Sequence, residues 1–337
     1  MTVPHRRPDG RFFNPWPGIE THGLGDFLRW QLAKRAPGTE PAKDPGPALP
    51  LSSADPSFDV PRAADDALTV TWVGHSTFLI QAAGINILTD PVWSERASPV
   101  GFAGPKRWMS PGIRFEALPP IDIVLQSHNH YDHLDEPTVE KLATSHGEAQ
   151  WIAPLGLRGW LEKRRVRVAA ELDWWDEVTV GSATIGCTPA QHFSARSPFD
   201  RDMTLWCGYA LRVESAARTH RIFFCGDSAY HPEFRAIGAR HGPFDVACMP
   251  VGAYDPRWFM RQVHMDPEEA IQAYLDVTAP HETATTRFVP MHWGTFTLTD
   301  EPIGEPPQRA RIAWNAASLP GDRFAQLKFG ETLRVPR

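Results

Sequence analysis

Ile121-Asp122-Ile123-Val124-Leu125-Gln126-Ser127-His128-Asn129-His130-Tyr131-Asp132-His133 joins two unlike halves. The first half is a run of branched apolar residues, which reads as a buried strand. The second packs three imidazoles and one carboxylate into the six residues from His128 to His133. On an extended loop, residues i and i+2 point the same way, so His128 and His130 can address one ion. Asp132 and His133 follow at once and can turn toward a second. Neutral imidazole and carboxylate suit Zn²⁺, and also Fe or Mn. Packing alone does not put three histidines within six residues at a strand end. The cluster is therefore read as a two-metal site at the carboxyl edge of a sheet, where open sheets tend to hold their ligands.

Outward from this stretch the pattern stays regular. Leu68 to Val73 alternates, Gly74-His75-Ser76 interrupts, and Thr77 to Ile80 resumes. After Ala83-Gly84 comes Ile85 to Asp90, stopped by Pro91. These read as consecutive antiparallel strands. Further strands are expected at Ile121–Ser127, Trp151–Ala153, Ala183–Thr188, Leu205–Val213, Arg221–Cys225, Val246–Pro250 and Phe288–Met291. Helices are expected between them at Pro137–Ser145, Leu155–Arg164, Pro232–Arg240, Asp266–Asp276 and Gln308–Ala317. Strand runs that give way to strand–helix alternation imply a layered α+β or α/β body. Three more polar residues stand where an apolar strand stops: His192, Asp227 and His292. Together they add two imidazoles and a carboxylate able to bridge two ions.

The composition is that of an ordinary globular protein, with 42% hydrophobic and 22% charged residues. A net charge of −6 argues against a nucleic-acid partner, which would call for a basic stripe. Cys187, Cys207, Cys225 and Cys248 are far apart and form no C-x-x-C, which suits free buried thiols in a reducing compartment. No apolar run approaches the ~20 residues needed to span a bilayer, and no apolar segment follows the basic start. A cytoplasmic location is expected, with peripheral membrane association left open by the N-terminal residues. Residues 1–36 read as an arm carrying Phe12, Phe13 and Trp16, with a short helix from Leu24 to Arg35. That helix either docks on the body or meets a lipid surface through its aromatic and basic residues. Residues 37–66 read as a Pro-rich linker and residues 67–337 as the catalytic domain.

The set H-x-H-x-D-H, then single His, Asp and His, resembles the metallo-β-lactamase superfamily. Other stretches are similar to the N-acylphosphatidylethanolamine-hydrolysing phospholipase D family within it. They include Asn14-Pro15-Trp16-Pro17, Thr71-Trp72-Val73-Gly74-His75, Pro256-Arg257-Trp258-Phe259-Met260, Asp266-Pro267-Glu268-Glu269-Ala270 and His292-Trp293-Gly294-Thr295-Phe296. The resemblance implies an α+β, four-layer αββα sandwich with an N-terminal arm. It implies two Zn²⁺ ions, one held by His128, His130 and His192, the other by Asp132, His133 and His292. Asp227 would bridge them together with a water or hydroxide. The implied reaction hydrolyses N-acylphosphatidylethanolamine to N-acylethanolamine and phosphatidic acid. Asp132 and Asp227 would then be catalytic as well as metal-binding. The expected partner is a phospholipid, at a membrane surface, with a homodimer left open.

Four further residues draw attention. His264 precedes the helix start Asp266-Pro267-Glu268-Glu269. Helix N-termini favour anions, so His264 is expected to bind the phosphate or protonate the leaving alkoxide. Tyr131 matches a substrate-contacting position of the family, though a bracing role fits it equally. His75 reads as structural or as a support to the ligands. Asp90 either orients a ligand histidine or caps a turn. Residues 18–66 and the stretch Phe193-Ser194-Ala195-Arg196 depart from the family. A dizinc hydrolase acting on a soluble phosphodiester or a lactone is the alternative.

Overall fold

The computed structural model describes residues 4–19, 22–33, 51–281 and 285–336. Two mixed sheets face each other. The first contains β1 (Leu68–Gly74), β2 (Thr77–Ala82), β3 (Ile85–Thr89), β4 (Ile123–Leu125), β5 (Gln150–Pro154), β6 (Val168–Leu172) and β13 (Thr332–Arg334). Their order across the sheet is β13-β1-β2-β3-β4-β5-β6. The second contains β7 (Glu177–Val180), β8 (Ala183–Thr188), β9 (Gly208–Glu214), β10 (Thr219–Phe224), β11 (Val246–Pro250) and β12 (Arg287–Met291). Here the order is β12-β11-β10-β9-β8-β7.

Alternation within each strand explains the layers. Ile123 and Leu125 join the cluster between the sheets, while Val124 joins a second cluster on the outer face. Ile152 faces inward, with Trp151 and Ala153 outward. Both faces of these strands are thus buried, which accounts for their unbroken apolar runs. The outer cluster is completed by Val139 and Leu142 of α2 (Glu136–Ser145) and Leu161 of α3 (Arg158–Glu162). Against the second sheet lie α4 (Phe234–His241) and, after the short α5 (Arg257–Met260), α6 (Pro267–Thr278), with α7 (Pro306–Ala316) packed on α6. The result is the αββα sandwich.

Direction matters more than order for the site. β3, β4 and β5 run parallel, and so do β10, β11 and β12. Each parallel set therefore brings its carboxyl ends to one edge, and Asp90, the Gln126–His133 loop, Asp227 and His292 all follow such ends.

Several expected boundaries move. β9 begins at Gly208, not Leu205, because Leu205 and Cys207 spend their N–H groups on the carbonyls of Leu155 and Ser127. α3 is shorter than Leu155–Arg164, since Gly156 adopts φ +95° in a turn ahead of it. β6, β7 and β13, with half-exposed and charged residues, are additions to the expected strands.

The arm lies on the body. Phe12 is buried, and an aromatic column of His5, Trp174, Trp16, His231 and Phe234 ties the arm to both sheets' surroundings. The helix expected at Leu24–Arg35 is described as α1 (Leu24–Ala33). It docks through Trp30, whose ring lies 5.1 Å from Phe259 and whose Nε1 donates to Asp300 at 2.6 Å. Leu28 and Leu32 of the same helix remain exposed. Residues 34–36 at the end of the arm and residues 37–50 of the stretch read as a linker lie outside the described residues. Residues 51–66 run along the first sheet, with Ala54 N–H donating to Phe329 O and Arg62 paired with Asp122. All four cysteines are free and buried. Among the described residues, no helix is long and apolar enough to cross a membrane.

Candidate metal centre

The site is built at the first residue beyond several strands. His75, Asp90 and His292 directly follow β1, β3 and β12, and each has positive φ (54°, 33° and 61°). Non-glycine residues rarely hold this conformation, and such strain concentrates at functional sites. It turns each side chain off the strand and across the sheet edge. Asp227 is delivered by Gly226, at φ +64°, where a Cβ would lie 2.5 Å from the Cys207 carbonyl.

Two groups of donor atoms result. His128 Nε2 and His192 Nε2 lie 3.0 and 3.1 Å from His130 Nδ1. His133, His292 and His75 gather round Asp132, whose Oδ2 is 3.5, 3.4 and 2.9 Å from their Nε2 atoms. Asp227 sits between the groups. Its Oδ2 is 3.0 Å from His133 and His292, and 3.8 Å from His128 and His192. The seven residues expected to hold metal thus converge, joined by His75, which holds Asp132.

Hydrogen bonds behind the site decide which nitrogens are free. His192 Nδ1 lies 2.8 Å from Val263 O and His133 Nδ1 lies 2.7 Å from Asp90 Oδ2. Both acceptors can only accept, so Nδ1 carries a hydrogen and Nε2 is the nitrogen left to face an ion. Ser127 Oγ donates to Asp90 Oδ2 at 2.5 Å and accepts from His128 Nδ1 at 2.9 Å, which frees His128 Nε2 likewise. Three ligand-type nitrogens are fixed in this way.

The residues fit a pair of cations. His133 Nε2, both nitrogens of His292 and Asp227 Oδ1 are buried without a hydrogen-bond partner. The 3.0 Å approaches of His133 and His292 to Asp227 lack hydrogen-bond alignment. Orphaned buried polar atoms are costly and call for an explanation. Imidazole nitrogens and carboxylates converging on two points supply one in metal ligation.

Electrostatics agree. Burial holds His128 far below its usual pKa and takes His130 to about 3 and His192 to about 4. These three are neutral, as ligands must be. Burial also opposes charge on His133 and His292, but Asp227 and Asp132 outweigh it. His133 is raised well above its usual value and His292 to about 9. The carboxyls of Asp132 and Asp227 are held well below the ordinary range by the same histidines, against burial.

His264 joins the site from the loop before α6. The expected capping box is present: Asp266 accepts from Glu269 N–H at 2.8 Å, and Glu269 accepts from Asp266 N–H. The His264 ring packs against His192 and His292, with centroids 4.9 and 5.1 Å away, and its Nδ1 has no partner. Burial keeps it neutral. Tyr131, read equally as a substrate contact or as a brace of the loop, takes the bracing place. Its hydroxyl donates to Arg196 O at 2.9 Å, its ring lies under the Arg196 guanidinium at 4.0 Å, and it does not line the adjacent cavity. Arg196 in turn donates to the carbonyls of Asn129 and Leu134 and so clamps the metal loop at both ends. Sequence reading missed this brace, although an arginine soon after His192 was its one signal.

A cavity of about 520 Å³ opens directly on His130, Asp132, Asp227 and His264. Phe193, Phe259, Met260, Val263 and Leu298 make its walls apolar. His22, Gly23 and Trp30 of the arm also line it.

Comparison with known proteins gives consistent results. The family described as beta-lactamase superfamily domain matches residues 85–293. An uncharacterized protein of Mycobacterium tuberculosis is 41% identical over 329 residues, covering 94% of this chain and 82% of its own. A Caenorhabditis elegans protein named N-acyl-phosphatidylethanolamine-hydrolyzing phospholipase D 1 is 36% identical, over 80% of this chain and 76% of its own. Among solved structures, a metallo hydrolase of Ignicoccus hospitalis matches with a TM-score of 0.60 at 21% identity, covering 80% of this chain and 99% of its own.

Proposed function

The chain belongs to the metallo-β-lactamase superfamily, in the family of the N-acylphosphatidylethanolamine-hydrolysing phospholipases D, and on that premise we propose that this metal-dependent hydrolase is a phospholipase D-type phosphodiesterase acting on N-acylphosphatidylethanolamine. The observation that carries the reading is the apolar cavity on the metal centre. A soluble diester or lactone needs a shallow polar bowl, whereas this cavity suits acyl chains. Each buried CH₂ contributes about 0.8 kcal/mol. Exposed Leu28, Leu32 and Trp258, with Arg29 stacked 5.4 Å over Trp258, suit contact with a lipid surface.

In this reading His128, His130 and His192 would hold one zinc ion and Asp132, His133 and His292 the other, with Asp227 placed between the two groups. When bound, such ions supply Lewis acidity and a water nucleophile at neutral pH. Water adds to phosphorus and the bond from phosphorus to the ethanolamine oxygen breaks, so the products are N-acylethanolamine and phosphatidate. Neutral His264 offers an N–H to a phosphoryl or leaving oxygen at the cavity's inner end. Phe193, Phe259 and Leu298 exclude water from the acyl chains and fix the diester's register. His75 and Asp90 hold the ligand side chains in place.

The test compares detergent-dispersed N-acylphosphatidylethanolamine with a small chromogenic phosphodiester. Faster turnover of the lipid supports the proposal. Background lipid turnover alongside efficient cleavage of the small diester would overturn it in favour of a soluble substrate.

A further inference from the structure

On the face of the second sheet beneath α4, three strands line up Thr184, Arg212 and Arg221. Thr184 pairs with Arg212 across β8 and β9, and Arg212 pairs with Arg221 across β9 and β10. Directly opposed cross-strand partners lie about 5 Å apart at Cβ, and like charges placed so destabilise a sheet. Arg240 and His241 cover this row from the last turn of α4. The His241 ring lies against Gly186, where a Cβ would stand 2.7 Å from it. Together these residues line a cavity of about 180 Å³. At about 30 Å³ per water, that is room for roughly six waters.

The lining carries three arginines against one carboxylate, Glu177, a local excess of two positive charges in a chain of net charge −6. Glu177 is engaged by Arg240 at 3.3 Å and approached by His241 at 3.8 Å. Arg212 has only a 3.7 Å approach to Glu214 and a 3.4 Å bond to Thr184 Oγ1. Among the described residues, the Arg221 guanidinium has no hydrogen-bond or ion-pair partner. His241 Nε2 is buried without one. Donors outnumber acceptors around a small polar space.

We infer that this cavity is a binding site for a phosphate monoester dianion, either free phosphate or a phosphorylated headgroup. A phosphate carries close to two negative charges at neutral pH and three strong acceptor oxygens. Guanidinium forks match that geometry bidentately. The ligand would neutralise the Arg212–Arg221 pair, which within the sheet meets only Glu214, 3.7 Å from Arg212. The cavity shares no lining residue with the one on the metal centre, so the inference stands independently of the lipid substrate.

The experiment titrates the full metal-loaded chain with inorganic phosphate by calorimetry and thermal melting, against chloride at equal ionic strength. Arg212→Gln/Arg221→Gln is compared in parallel. Phosphate is expected to raise the melting temperature of the parent and to bind the double variant at least tenfold more weakly. In phosphate-free buffer the variant should melt no lower than the parent, because the like-charge pair is gone. Should that variant melt early, Arg212→Lys/Arg221→Lys keeps both charges and carries the same comparison. Co-flotation with phosphatidylcholine vesicles, with and without phosphatidic acid, separates the sources. Arginine-dependent flotation on phosphatidic acid identifies a lipid headgroup, and phosphate binding without flotation identifies a soluble ligand. Equal phosphate responses in parent and variants, or no response to phosphate or phosphatidic acid, overturn the proposal.

Discussion

Asp90 Oδ2 lies 2.7 Å from His133 Nδ1, and both side chains are fully buried. The same oxygen receives the Ser127 hydroxyl, which in turn orients His128. His133 and His128 belong to different donor groups, so one carboxylate sets the ring orientation on both sides of the centre.

Replacing that carboxylate should therefore weaken both halves together. Asp90→Asn keeps the volume but cannot accept from Ser127 and His133 as strongly. Loss of such support typically costs 10–100-fold in metal affinity. Competition with a chromophoric chelator should show both sites weakened. Loss confined to one site would contradict the shared role of Asp90.

Metal uptake should release protons. In the metal-free protein His292 is raised to about 9 and is charged at pH 7.5, and His133 is raised as well. Ions bind only neutral imidazole. Calorimetry in buffers of different ionisation enthalpy should report proton release on metal uptake, and affinity should fall as pH is lowered. The same shifts stabilise the metal-free fold. For His292 that contribution is complete below its ordinary pKa of 6.5 and is lost as pH rises through about 9. Chelation at pH 7.5 should abolish turnover, and Zn²⁺ should restore it.

Arg196 should matter for stability more than Tyr131 matters for substrate. Arg196→Lys removes the planar fork that serves the Asn129 and Leu134 carbonyls, with an expected cost of about 1–3 kcal/mol in denaturant melts. Tyr131→Phe loses one hydrogen bond, about 1 kcal/mol, and should leave KM for lipid unchanged. A clear rise in KM would return Tyr131 to the substrate.

Filling the cavity should separate chain binding from chemistry. Val263→Trp occupies space in its apolar wall. Excluding three or four methylenes at about 0.8 kcal/mol each predicts roughly 100-fold lower kcat/KM for long-chain lipid. Cleavage of a small diester should change little. His264→Ala should do the reverse, lowering kcat for both substrates about 10²–10⁴-fold without altering metal content.

The metal loop was legible in the sequence because its signal is local: His128 to His133 follow one strand without a break. His192, Asp227 and His292 were legible because each stands just past an apolar run. The cavity was not, since Trp30, Phe193, Phe259 and Leu298 come from four distant segments and meet only in the fold. Edge strands β6, β7 and β13 escaped for another reason. With one side exposed and charges in them, they lack the apolar contrast that marks a central strand. For Tyr131 a substrate contact and a brace stayed equally open in the sequence, because neighbours on an irregular loop need not face the same way. Its partner, Arg196, lies 65 residues away.

The arm helix lines the cavity through Trp30 but supplies none of the converging metal donors. One stretch of the cavity wall can therefore vary without touching a metal ligand. If the arm shapes what the cavity accepts, exchanging arms between relatives should alter substrate preference and leave the metal content constant. A laboratory library confined to residues 22–33 offers the same freedom.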